Sequence, residues 1–169
     1  MKIIEALKKL KDLARKADDI KKLVKDHCAI SSLEEEKYPN QSTKVSEWVQ
    51  SYGDLLKEIL RIRVAIQKTN IQTIVVIELN GKQVEKSIAE WIHRRRDLAT
   101  MEKGIWDVLT DRGIVESVVK GPSGDPIHLK IRRFYDPSRR DIMKDALSSE
   151  PSIIDSRLEV VNAITDLVE

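Results

Sequence analysis

The sequence predicts an α+β fold that is mainly α: an antiparallel bundle of long helices with a small antiparallel β-hairpin or sheet. Three observations carry this expectation. Charged residues make up 34% of the 169 positions and aromatic residues only 4%, with six glycines and five prolines, the profile of long, surface-rich helices. Apolar residues recur at alternating three- and four-residue steps over several long stretches. Only the middle of the chain contains short runs of β-branched residues, and these are flanked by turn signals. At 19.4 kDa, one domain covering 1–169 is expected.

The first expected element is a helix over 1–30, where Ile3, Leu7, Leu10, Leu13, Ala17, Ile20 and Val24 form a heptad-like seam with Lys and Asp outside it. Pro39 and Asn40 interrupt the pattern, and Ser42 or Thr43 can cap a second helix over 42–70. Its stripe runs through Val45, Trp48, Val49, Tyr52, Leu55, Leu56, Ile59 and Leu60, then turns polar at Arg63, Gln67 and Asn70. A strand and turn fill 71–82, ending on the hairpin signal Asn80-Gly81. A third helix is expected over 84–111, with Leu98 and Ile105 among its inner residues, Arg95 and Glu102 interrupting its stripe, and Gly113 as terminator. Residues 114–135 read as a β-hairpin around Gly121-Pro-Ser-Gly-Asp-Pro126. A final helix over 137–169 should end or bend near Pro151, with Ser149 as cap and Pro151 in a first turn.

In that last stretch Ile153, Ile154, Leu158, Val160, Val161, Ile164, Leu167 and Val168 cover half of a helix, a face expected to be buried. Arg157 lies in its middle and Asn162 on its border. Three helices thus place an arginine among apolar residues: Arg63, Arg95 and Arg157. Guanidinium groups converging in a partly dry cleft, with Gln67, Asn70 and Asn162 nearby, would suit a phosphate or carboxylate. The alternative is a structural network in which these arginines pair with Glu102, Asp97, Asp155 or Asp166.

Other patterns point to less. His93-Arg-Arg-Arg96, Arg132-Arg133 and Arg139-Arg140 adjoin aspartates and read as solvated faces. Thirty basic against 28 acidic side chains leave +2, so nothing global attracts nucleic acid or anionic lipid. The glycine-rich loop lacks the Lys-Ser/Thr ending of a phosphate-binding loop. The single cysteine, Cys28, rules out an internal disulfide or a cysteine-based metal framework. No nucleophile has a recognisable base and orienter, so no enzyme, cofactor or metal site is expected. The amino-terminal residues are charged every few positions, no apolar run approaches the ~20 residues of a membrane span, and a cytoplasmic location follows as the expectation.

On Met1-Lys2…Glu5-Ala6-Leu7, Ile66-Gln-Lys-Thr-Asn70, Arg94-Arg95-Arg96-Asp97-Leu98 and Ile154-Asp155…Asn162…Thr165-Asp166-Leu167, the chain resembles the septicolysin-like small helical proteins of bacteria and phages. It departs from them in its longer strand and hairpin segments and in having Asn162-Ala163 where they have Asn-Trp. The resemblance implies a helical fold and a polar motif at Thr69-Asn70, Asp97 and Asn162, and carries over no activity. The functional expectation is a non-enzymatic homo-oligomer that holds an anionic small molecule such as a signalling nucleotide, for instance as a phage-encoded sponge. Its rival is a structural or virion-associated assembly protein without ligand. Nucleic-acid binding is a second alternative and a membrane partner is not expected.

Overall fold

The heptad-like seam at the start of the chain becomes α1, Ile3–His27, in a computed structural model that describes residues 1–168. Ile3, Ala6, Leu13 and Ala17 are buried along it. Leu7, expected in the seam, is exposed, because Ala6 occupies the inward position one residue earlier. The second helix, α2, is Gln41–Gln72. Its cap is Asn40 and not Ser42 or Thr43: Asn40 adopts left-handed backbone at φ 56° and its Oδ1 accepts the Thr43 N–H at 3.5 Å, a conformation asparagine tolerates better than most residues. Ala6 and Leu13 pack with Ile59, Ile62 and Ile66, and Leu10, Leu55 and Leu167 close over them. Each fully buried Leu or Ile contributes roughly 1.5–3 kcal/mol of transfer free energy. Lys9 reaches Glu58 at 2.8 Å across the same pair.

Two β-hairpins interrupt the helices. In the first, β1 (Ile74–Leu79) pairs with β2 (Lys82–Ser87) around Asn80 (φ 52°) and Gly81 (φ 73°). The helix expected from 84 therefore begins only at Ile88, since a turn with two positive φ angles feeds a returning strand. Val75 and Ile77 are buried on one face of β1. In the second hairpin, β3 (Ser117–Lys120) pairs antiparallel with β4 (Pro126–Leu129), with Val119 opposite Ile127.

Between the hairpins, α3 runs as an α-helical segment Ile88–His93, a π-helical turn Arg94–Leu98 and a further α-helical segment Ala99–Asp107. The Ala99 N–H donates to the Arg94 carbonyl, the wide bond that admits one extra residue. The last helix, α4, is Pro137–Ile164 and passes through Pro151 without ending. Pro151 is therefore not in a first turn, and Ser149 is no cap: its hydroxyl donates to the Ala146 carbonyl inside the helix at 2.9 Å.

The chain divides into two compact units, one holding 1–75, 87–89 and the residues from Leu158 onward, the other 76–86 and 90–157. In the first, the two ends of the chain are joined. The Ile3 N–H donates to the Thr165 carbonyl (3.0 Å) and the Leu167 N–H to the Met1 carbonyl (2.9 Å). Thr69, wholly buried, completes the join by donating to the Ala65 carbonyl at 2.8 Å and accepting the Val168 N–H at 2.9 Å.

Replacing Thr69 with the isosteric valine leaves the Val168 N–H without its acceptor. Thr69→Val is expected to destabilise the protein by about 1–3 kcal/mol in urea denaturation; a change within about 0.5 kcal/mol, the scale of an ordinary surface substitution, would show that this hydroxyl does not hold the join.

Candidate functional site

The first unit contains four of the six candidate ligand-binding residues. Arg63 and Gln67 are exposed, while Asn70 and Asn162 are half-buried. The inward face of this part of α2 is Ile59, Ile62, Ile66 and Thr69, so Arg63 points away from the core that the sequence assigned to its stripe. Asn70 Oδ1 is buried with no hydrogen-bond partner among the described residues. Beside the outer face of α2 lies a groove of about 500 Å³ whose walls include Leu60, Val64, Leu167 and Val168, with Lys57, Arg61 and Lys68 at its rim. Lys57 and Arg61 are engaged by Asp54 and Glu58 at 2.9 and 2.8 Å. Arg61 and Lys9 together hold the Glu58 carboxyl down at about 2.

Arg95 and Arg157 belong to the second unit. Arg95 pairs with Asp155, one of the partners considered from sequence, and Arg157 is exposed. On α4 the buried positions are Leu147, Glu150, Ile154, Leu158 and Val161, while Ile153, Val160 and Ile164 are exposed. The face expected to be buried is thus split lengthwise: one half is covered and the other, with Arg157 between Ile153 and Val160, is not. Arg63 and Arg157 are thus each open to solvent and Arg95 is engaged by Asp155, so none of the three is an unpaired guanidinium inside a core.

The polar centre of this unit is a residue that sequence reading assigned to a solvated run. Arg94 lies on the π-turn, with its Nε and Nη2 donating to the two carboxylate oxygens of Glu150, the second at 2.9 Å. Its Nη1 lies 2.5 Å from Glu102. The Glu150 side chain is only 8% exposed, so the pair is shielded from water on the carboxylate side, and Glu150 first and Glu102 next raise the Arg94 pKa above its ordinary value. Lys144 with Asp107 (2.9 Å) and Arg95 with Asp155 extend the contacts along α3 and α4. Asp107 near the end of α3 meets Lys144 early in α4, and Arg94 and Arg95 earlier in α3 meet Glu150 and Asp155 further along α4, so the helices are antiparallel and ion pairs set their register. Burial of a carboxylate requires such a partner, and bidentate arginine supplies the geometry.

The same unit holds a cleft of about 370 Å³ at the base of the β3–β4 hairpin. Its frame is polar. Arg133 donates twice to Asp111, at 2.6 and 2.7 Å, Tyr135 Oη lies 3.4 Å from the same carboxylate, and Arg140 Nη1 donates to the Leu109 carbonyl at 3.0 Å. These bonds tie the end of α3 to the segment entering α4. Arg112, on the rim, has φ 56°, a left-handed conformation unusual for a long side chain.

No family model matches the chain, and no curated protein matches its sequence significantly. Among solved structures it is similar to a functionally unknown conserved protein from Corynebacterium diphtheriae, with a TM-score of 0.57, 18% identity and coverage of 99% of this chain and 99% of that chain. At that identity the likeness is one of fold.

Two outcomes are expected. Arg94→Met strands Glu150 and should cost about 3 kcal/mol, the low end for breaking a buried pair, whereas Arg94→Met with Glu150→Leu should recover most of the loss; equal losses in the single and double variants would contradict the pairing. Arg133 beside Asp111 holds that carboxyl below its usual range. A group whose pKa is depressed by folding stabilises fully above its unfolded value and loses that contribution as pH falls through the folded one. From neutral pH to about 3, below the ordinary aspartate value, amide exchange over 131–135 should therefore speed up relative to α1. Uniform change across both segments would contradict it.

Proposed function

We propose that the chain is a non-enzymatic, self-associating binding protein that holds an anionic small molecule, such as a signalling nucleotide, against arginines on its uncovered helix stripes. The observation that carries this reading is a second apolar stripe left open on each of α2, α3 and α4. On α2 it is Leu56, Leu60, Val64 and Ile71, on α3 Leu98, Met101 and Ile105, and on α4 Ile153, Val160 and Ile164, all exposed. Their spacing is that of seams that pack against another helix.

Apolar side chains at helical spacing on an exposed face support a second copy as the cover. Arg63 and Arg157 sit on or beside these stripes and have no carboxylate partner among the described residues. Covering the stripes with another copy would take both guanidiniums partly out of water and leave them in need of an anion. Arg95 already has Asp155, which favours the ligand-free assembly reading for that one position.

Thermal denaturation with a panel of nucleotides discriminates the readings. The ligand is expected to raise the Tm of the wild type by mass action, and Arg63→Ala and Arg157→Ala should keep the fold and the molecular mass while losing that rise. A wild type indifferent to every anion, with stability lost in each variant, would leave only the assembly role.

A further inference from the structure

We propose that the cleft at the base of the β3–β4 hairpin binds a nucleobase together with its phosphate, with Phe134 as the stacking surface and Arg112 and Arg132 as the phosphate contacts. This goes beyond the reading above, because none of these side chains belongs to the helix stripes.

Phe134 is the chain's single phenylalanine and is 87% exposed, whereas the tryptophans and tyrosines are all buried or half-buried. Leaving an aromatic ring in water forgoes the burial energy that makes such residues core-formers. The Arg132 guanidinium lies over the ring, 5.3 Å from its centroid, an arrangement that presents a flat aromatic surface beside a fixed positive charge. Both residues line the cleft with Arg112, Ile114, Ile131 and Tyr135.

The charges sort into two groups. Arg133, which lines the cleft, is committed to Asp111, and Arg140, outside the lining, is committed to Asp141, so neither offers a free charge to a ligand. Arg112 and Arg132 have no carboxylate partner among the described residues, nor do Lys120 and Lys130 along the hairpin. Arg112 is also held in strained backbone at φ 56°, followed by Gly113 at φ 74°. Such a conformation is unfavourable for a residue with a Cβ, and Arg112 lines the cleft. An aromatic face, two unneutralised guanidiniums and apolar walls match a nucleobase with its phosphate, in which the base stacks and the phosphate takes the arginines. The chemistry is common to a free nucleotide and to one residue of a single strand. Lys120 and Lys130, continuing the positive charge along the hairpin, favour the strand.

The test uses the full chain, fluorescence anisotropy with a labelled oligo-uridine and oligo-thymidine, and competition by AMP and UMP. Binding should weaken steeply with salt. Phe134→Ala should lower affinity roughly 5- to 100-fold, the worth of one stacked base. Arg132→Gln should reduce the salt slope by about one. Arg112→Gly relieves the strained backbone, so it should bind more weakly while melting no lower than wild type. Competition by the mononucleotides would place a free nucleotide in the cleft and binding of oligonucleotides alone would place a strand there, both supporting the site. No binding of either, wild-type affinity in Phe134→Ala and Arg132→Gln, or a Phe134→Ala variant altered only in molecular mass would overturn it.

Discussion

The long helices of this protein carry more apolar surface than one copy of the chain covers, and much of the structure follows from how that surplus is divided. A helix turning about 100° per residue can carry two adjacent stripes at three- and four-residue spacing. On α4 the stripe through Leu147, Ile154, Leu158 and Val161 is buried, and the neighbouring one through Ile153, Val160 and Ile164 is exposed. On α2 the inner stripe is Ile59, Ile62 and Ile66 and the outer one Leu56, Leu60 and Val64. Single exposed apolar side chains are ordinary on any protein; stripes with helical spacing on three helices form continuous surfaces and call for a cover.

Charge has a different role in each unit. In the first, the α1–α2 interface is apolar at its centre, and the ion pair of Lys9 with Glu58 stands at its margin. In the second, carboxylate–guanidinium pairs run along α3 and α4, and the most protected of them is Arg94 with Glu150. Because a charge buried without its partner is costly, an antiparallel slip of either helix is penalised by more than the loss of one contact. Arg94 opens the π-turn and meets Glu150, while Leu98 at the end of the turn is exposed and Ala99 after it is buried.

Much of the fold was legible in the sequence. The four long helices, the Asn80-Gly81 turn and the Gly121 to Pro126 loop are all local signals, set by spacing and turn chemistry, and the mainly helical α+β class follows from them. The site was legible only in part. Periodicity reveals that Arg63 and Arg157 lie among apolar residues, but it cannot tell a covered stripe from an open one, since that depends on tertiary partners. Arg94 was masked because counting 3.6 residues per turn from Trp91 falls between Arg94 and Arg95, and it sits in a run of three arginines beside Asp97 that reads as a solvated face. Thr69 and Gln41 are buried for reasons that are likewise non-local. Gln41 Nε2 donates to the His27 carbonyl at 2.9 Å, a partner that α1 brings close only after folding. The second strand, Lys82–Ser87, was hidden by its polarity, with Val84 and Lys86 half-buried and Ser87 buried.

The proposed function depends on the open stripes being subunit surfaces. Sedimentation velocity of the wild-type chain at micromolar concentration tests it most directly. The predicted result is a discrete species whose mass is a multiple of 19.4 kDa and which dissociates when Val160 and Ile164 on α4 are replaced by glutamate, with each chain remaining helical. A single 19.4 kDa species that persists as concentration is raised would contradict the account, because the exposed stripes would then need no cover.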